Sequence, residues 1–194
     1  MKILVVNPFG DTEFHGEENL RRIARPDTEF DIVNISEMYP LRNNQWLYFR
    51  YMCTDGTLEK VMWAEKQGYD AVFISCNLDI GLHEARQLVD IPVTATLESA
   101  ALVSHMMGST FSLVTVDDQN GKIQESMLAT YGLHDHFVSQ RPFHIDANDL
   151  YPDQTPTGGR AVDRSRNPLE GGHRPPPRLP AAGLSQPCGR RVRR

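Results

Sequence analysis

Cysteine is scarce in this chain, and what its scarcity excludes is a useful starting point. Cys53, Cys76 and Cys188 are odd in number and far apart, so they make no disulfide framework and suit a reducing compartment. No Cys-x-x-Cys occurs, and His134-x-His136 is the single close histidine pair, so metal-ligand spacing is missing and no metal is expected. Long hydrophobic runs are missing too. The opening Met1-Lys2-Ile3-Leu4-Val5-Val6 is too short for a secretion signal and is stopped by Asn7-Pro8. Nothing approaches the roughly 20 apolar residues of a membrane span. A soluble, cytoplasmic protein without a membrane partner is expected.

Lysine is absent from residues 157–194, where nine arginines face only Asp163 and Glu170. That segment carries +7, and the formal −5 of the whole chain leaves −12 on the 156 residues before it. An acidic body argues against nucleic acid as a partner, which needs a basic face. The 40% hydrophobic fraction is low for 194 residues, and the deficit is local. After about Pro156, the run Pro175-Pro176-Pro177, paired glycines and scattered arginines cannot build a core, so 157–194 reads as a disordered Arg/Pro/Gly-rich tail. Two origins fit it. It is either a shifted reading frame of GC-rich DNA that truncates a longer protein, or a native disordered basic tail. If neither alternative frame of the coding DNA continues a βα pattern, the frameshift origin fails.

Ahead of the tail, strand-like and helix-like stretches alternate, the pattern of parallel sheets in an α/β fold. Ile3–Val6, Phe30–Ile35, Ala71–Ser75, Ile91–Val93 and Phe111–Val116 read as strands, with Phe137–Ser139 as a sixth. Asp31 and Asn34 put the second strand near an edge. Helices are expected around Glu17–Ala24, stopped by Pro26, and around Leu58–Glu65, closed by Gly68. Further helices run from about Leu82, burying Leu82, Ala85, Leu88 and Val89, then Leu97–Met107 to Gly108, and about Gln119–Tyr131 to Gly132. The segment Tyr39–Tyr51 has no clean period; its Trp46, Tyr48, Phe49 and Tyr51 fit a side-chain pocket or a cover for the sheet edge. The division is a first α/β lobe over 1–95, a partial second lobe over 96–156, and the tail.

Cys76 stands where chemistry is done in such folds. It follows the buried strand Ala71–Ser75 and opens Cys76-Asn77-Leu78-Asp79-Ile80-Gly81 before a helix. Open α/β sheets bind ligands beyond the carboxyl ends of their strands. The positive end of the following helix would favour thiolate over thiol. The plainer reading is a buried structural cysteine. Cys53 reads as structural or merely exposed. Asn7, ending the first strand, either caps the turn before Pro8 or points into the same cleft.

The stretch Cys76-Asn77-Leu78-Asp79-Ile80-Gly81-Leu82-His83-Glu84-Ala85-Arg86, followed by Val89-Asp90-Ile91-Pro92-Val93, resembles the aspartate/glutamate/hydantoin racemase superfamily, closest to its hydantoin branch. Asn7-Pro8, Glu98-Ser99-Ala100-Ala101 and Phe111-Ser112-Leu113-Val114-Thr115 fit the same resemblance, which runs from Met1 to about Pro156. It implies two α/β lobes with a cleft between them and a cysteine from each lobe on opposite sides of the substrate's stereocentre. One thiolate removes the Cα proton and the other thiol returns one, with no metal, pyridoxal phosphate or nucleotide. Cofactor-independent racemisation of a hydantoin or amino-acid-like small molecule is the activity implied, with Cys76 as one acid/base and a homo-oligomer expected.

The substrate contacts expected are Asn7, Asn77, Thr115 and Glu98, each with a plainer role beside it. Asn77 would otherwise cap the helix, for which Asp79 is the better N-cap. Thr115 would be an ordinary strand residue, and Glu98 an acid favoured in a first helical turn. Gly81 would permit close helix approach. The chain departs from the pattern at the second cysteine, which should follow a later strand. Cys188, in Gln186-Pro187-Cys188-Gly189-Arg190, has no apolar strand before it and is not given that role. A single-cysteine decarboxylase of a malonate, or an inactive truncated member that only binds ligand, are the alternatives.

Overall fold

The computed structural model describes residues 1–9, 17–35 and 47–144. Gly10, Trp46, the Phe49 side chain, residues 157–194 and Cys188 lie outside them. The first sheet holds β1 (Lys2–Asn7), β2 (Glu29–Asn34), β3 (Ala71–Ile74) and β4 (Val93–Ala95), all parallel in the order β2-β1-β3-β4. A central parallel strand is covered on both faces and needs a continuous apolar run. β1 has one, with Leu4, Val5 and Val6 no more than 2% exposed. The polar β2 lies at the edge, where Asp31 accepts the Tyr69 hydroxyl at 2.6 Å. In register, Val6 faces Val33 on one side and Ile74 on the other, and Ile74 faces Ala95. The carboxyl ends of all four strands therefore form one edge.

Three helices follow strands of this sheet: α1 (Glu17–Ile23), α2 (Leu47–Lys66) and α3 (Leu82–Leu88). Helix α2 begins some eleven residues before the start expected at Leu58. Its inward positions are Cys53, Gly56, Thr57, Val61 and Ala64, a helical stripe of small residues that does not read as apolar. The Thr54 and Thr57 hydroxyls donate to the carbonyls of Arg50 and Cys53 four residues back, so burial leaves neither without a partner. Cys53 is thus a buried core residue at 2% exposure. Tyr48 and Tyr51 stand exposed on the first turns of α2, and Tyr51 lines a cleft beside Arg50, which fits the pocket alternative for that residue.

Two further expectations shift. β4 starts after Pro92, whose carbonyl accepts Val72 N–H at 2.9 Å, so the strand is Val93–Ala95. Leu88 is 49% exposed, because α3 ends there and the chain turns away. The first core joins Leu4, Val6, Val61, Ala64, Val72, Ile74, Leu82, Ala85 and Val93.

The second sheet pairs β5 (Phe111–Thr115) with β6 (Phe137–Pro142), again parallel, with an irregularity between Phe111 and Ser112. Helices α4 (Thr96–Met107) and α5 (Asp118–Thr130) pack on it around Leu97, Ala101, Leu128 and Leu133. Asp117 caps α5 by accepting Asn120 N–H at 2.7 Å. At its far end Gly132, at φ +72°, lets Leu133 N–H reach back to Leu128 O, a Schellman closure that also ends α2 at Gly68. The fold is α/β with two parallel sheets. Among the described residues, no helix is long and apolar enough to cross a membrane.

Candidate active site at the carboxyl edge of the first sheet

The edge where the four strands end carries the polar residues. Ser75 N–H donates to Val6 O at 2.9 Å, keeping the chain beyond β3 against β1. Cys76 follows, its own N–H donating to Ile74 O, and Asp79 N–H closes a turn onto Cys76 O, both at 3.0 Å. Leu78, Ile80 and Leu82 drop into the core at 1–3% exposure, so alternate residues of the turn anchor it. The Thr96 hydroxyl donates to Ile74 O at 3.4 Å from the neighbouring strand end. Cys76 is half-buried and packed against the core, and its Sγ accepts the Leu78 N–H at 3.4 Å.

This surrounding reverses the expected state of the thiol. Burial pushes Cys76 up to about 12, the Leu78 N–H pulls back, the Asp79 carboxylate adds to the rise and the Arg50 guanidinium opposes it. The helix dipole does not rescue a thiolate. α3 has only seven residues and starts six residues beyond the sulfur, and the donor on Sγ belongs to the turn. This environment favours the thiol form of Cys76 over the thiolate.

Asp79 does not cap α3, whose N-cap is Gly81 without a side-chain bond. Its carboxylate reaches across 18 residues to α4. Oδ1 accepts Leu97 N–H at 2.7 Å, and Oδ2 accepts Glu98 N–H at 2.8 Å and the Tyr131 hydroxyl at 2.9 Å. To do so Asp79 takes φ +38°, a left-handed conformation that aspartate tolerates better than most residues. Burial raises its carboxyl above the usual range against these donors, and burial with the neighbouring Asp79 raises the Tyr131 phenol. Gly81 is fixed by its own φ of +76° and not by close approach: a Cβ there would sit 3.4 Å from Thr54 and 3.5 Å from Leu58, ordinary contacts.

The other expected residues are placed as follows. Asn7 ends β1 at 5% exposure, and its amide donates to Asn34 Oδ1 at 3.1 Å. Asn77 is exposed beside Cys76, and its carbonyl accepts from Gln124 of α5 at 3.3 Å. Glu98, in the first turn of α4, is held in a two-pronged pair with Arg86 at 2.9 and 2.6 Å, which lowers its carboxyl. Thr115 lies in the second sheet, buried at 4%, with its hydroxyl donated to Asp117 O at 2.6 Å. Cys76, Asn7 and Asn77 share the first edge, with Glu98 two residues past Thr96.

Arg50, Tyr131, Arg86 and Gln124 were not singled out by the sequence. Arg50 comes from α2 and donates to Leu78 O at 3.2 Å, while its Nε is buried without a partner among the described residues. Burial lowers its guanidinium, and the charges of Cys76, Tyr131 and Asp79 oppose that. It lines a cleft of about 290 Å³ with Thr54, Asp79, His83, Met127 and Tyr131; Cys76 is not among the lining residues. A signal existed only for Arg86, an arginine inside the Cys76 stretch. The other three lie 26 to 55 residues from Cys76, too far for spacing to speak.

Residues 3–169 match the family described as Asp/Glu/Hydantoin racemase. A hydantoin racemase of Pseudomonas sp. (strain NS671) is 32% identical over 155 residues, covering 79% of this chain and 61% of that protein. A hydantoin racemase of Rhizobium meliloti is 33% identical over 102 residues, 53% of this chain and 42% of that protein. Among solved structures, allantoin racemase from Pseudomonas fluorescens superimposes with a TM-score of 0.69 at 27% identity, covering 79% of this chain and 65% of that one. The chain thus spans less than two thirds of the length of each of these relatives.

Proposed function

We propose that this chain, which belongs to the Asp/Glu/hydantoin racemase family, moves a proton at a carbon α to a carbonyl, with Cys76 as one acid/base and no cofactor. The observation that carries the reading is Cys76 itself: a half-buried thiol on the carboxyl edge of a parallel sheet, with a backbone N–H on its sulfur. A hydantoin or an amino-acid-like molecule has a C–H whose carbanion spreads onto the adjacent carbonyl oxygen. The S–H bond of Cys76 breaks as a C–H bond forms, and the thiolate left behind takes up the Leu78 N–H and faces the Arg50 charge. In the reverse direction that thiolate removes the proton. Racemisation needs a second group on the opposite face; a single thiol exchanges hydrogen on one face only. The reading takes a small-molecule substrate and a homo-oligomer, and gives no part to nucleic acid or a membrane.

A second reading has one observation in its favour. A thiol that rests protonated is suited to hand its proton to the enolate left by decarboxylation of a malonate, which needs no opposing base. Proton NMR in D₂O with 5-substituted hydantoins and free amino acids, run beside polarimetry, separates the cases. Loss of the α-proton with loss of rotation is two-base racemisation, and exchange with rotation retained is one-base chemistry at Cys76. Cys76→Ser abolishes either; exchange unchanged in that variant would remove Cys76 from the mechanism. Carbon dioxide release from a malonate would favour the second reading, and ligand binding without chemistry would leave a binding-only member of the family.

A further inference from the structure

Two features of Asp79 go unused by the chemistry above. It adopts a left-handed backbone, and all three hydrogen bonds of its carboxylate leave its own turn. A left-handed conformation is strained for a non-glycine residue and persists only where its surroundings over-determine it. Here the surroundings are the start of α4 and the end of α5, the two helices packed on the second sheet. A further outward bond of the turn has the same direction: Asn77 O accepts from Gln124 of α5. Arg50 of α2 also holds the turn, through Leu78 O at 3.2 Å, and reaches Met127 Sδ of α5 at 3.8 Å. The sulfur in turn is oriented by the Leu78 N–H, one residue before Asp79.

We propose that Asp79 is a positioning residue for the Cys76 proton transfer: its carboxylate ties the turn that orients Sγ to the N-terminus of α4 and to Tyr131 of α5. Asp79 touches no reacting atom; it fixes the direction of the thiol through the Cys76–Asp79 turn, so the helices of the second sheet set the aim of a residue on the first. The catalytic part of this inference rests on the function proposed above, whereas the geometric part does not.

The gentlest perturbation is Tyr131→Phe, which removes one hydroxyl from Asp79 and keeps the ring that faces His83 at 5.4 Å. In the 194-residue chain, ¹H–¹⁵N spectra are expected to show the amides of Leu97, Glu98, Leu78 and Cys76 all shifting. Neither Leu78 nor Cys76 is hydrogen-bonded to Tyr131, and the circular dichroism spectrum should stay unchanged. Asp79→Asn should give larger shifts at the same four amides, and in the D₂O assay a fall of about tenfold or more in kcat with KM within about twofold, since misaim costs turnover and not binding. A purely structural cap would shift Leu97 and Glu98 and leave Leu78 and Cys76 where they are, and that result overturns the proposal. So does a loss confined to KM. Absence of exchange in the unsubstituted chain would count against the proposed function, while the spectra would still decide whether Asp79 sets the turn.

Discussion

The protonation state of Cys76 gives the sharpest prediction, because sequence and structure disagree on its sign. A free cysteine with a pKa near 8.5 is about 7% thiolate at pH 7.4. With its thiol pushed up to about 12, Cys76 is thiolate in roughly one molecule in 40,000 at that pH, about 3,000-fold less. A more basic thiolate is also a better nucleophile. A Brønsted slope of 0.4–0.5 over some 3.5 pH units returns a factor of about 30. Alkylation of Cys76 by iodoacetamide at pH 7.4 should therefore run about a hundredfold slower than that of an unhindered cysteine peptide.

The rate should climb close to tenfold per pH unit from pH 7 to 10 with no plateau. Quantifying the modified Cys76 peptide by mass spectrometry separates it from Cys53 and Cys188, and far-UV circular dichroism marks where alkali unfolds the protein. A plateau between pH 7 and 9, or a rate at pH 7.4 equal to the peptide's, would refute the argument. It would mean that the Leu78 N–H and the Arg50 charge outweigh burial, and the thiol would then rest as a base.

Two stability predictions accompany it. Glu98 is held below its ordinary range by Arg86, so its contribution is present above the unfolded carboxyl value and is lost as pH falls through the folded one. Glu98→Gln should cost up to about 1 kcal/mol at pH 7 and progressively less as the pH is lowered below the unfolded carboxyl value, read from urea midpoints across that range; an equal cost throughout would show that the Arg86 pair is not its source. Leu128 is fully buried among Leu97, Ala101 and Leu133, and Leu128→Ala should cost about 3–5 kcal/mol, read from the same urea curves. A loss below about 1 kcal/mol would mean that the second core is not packed around it.

The parts of this fold that local rules govern were legible in the residues. Apolar runs located β1, β3 and β5, the polar Asp31 and Asn34 marked β2 as an edge strand, and Gly68 and Gly132 marked where α2 and α5 end. Helix α2 escaped because its inward face is Cys53, Gly56 and Thr57, small residues that pack without reading as apolar. Position alone likewise put Cys76 at a strand end. Its protonation state was not legible, because it depends on how far the sulfur sinks into a core assembled from distant segments and on Arg50, 26 residues away.

Asp79 carries the same lesson further. A residue three before α3 is a sensible N-cap for α3 by spacing, yet its carboxylate serves α4, because the left-handed twist at Asp79 turns the side chain towards the next helix. That choice has a consequence for the proposed reaction. Had Asp79 capped α3, the turn would have been a self-contained unit of the first sheet, and the aim of the thiol a local property. Anchored as it is to Leu97, Glu98 and Tyr131, the turn is tied to α4 and α5 instead. In the proposed reaction, an acid/base that must meet one face of a stereocentre would benefit from being aimed by the elements packed on the other sheet.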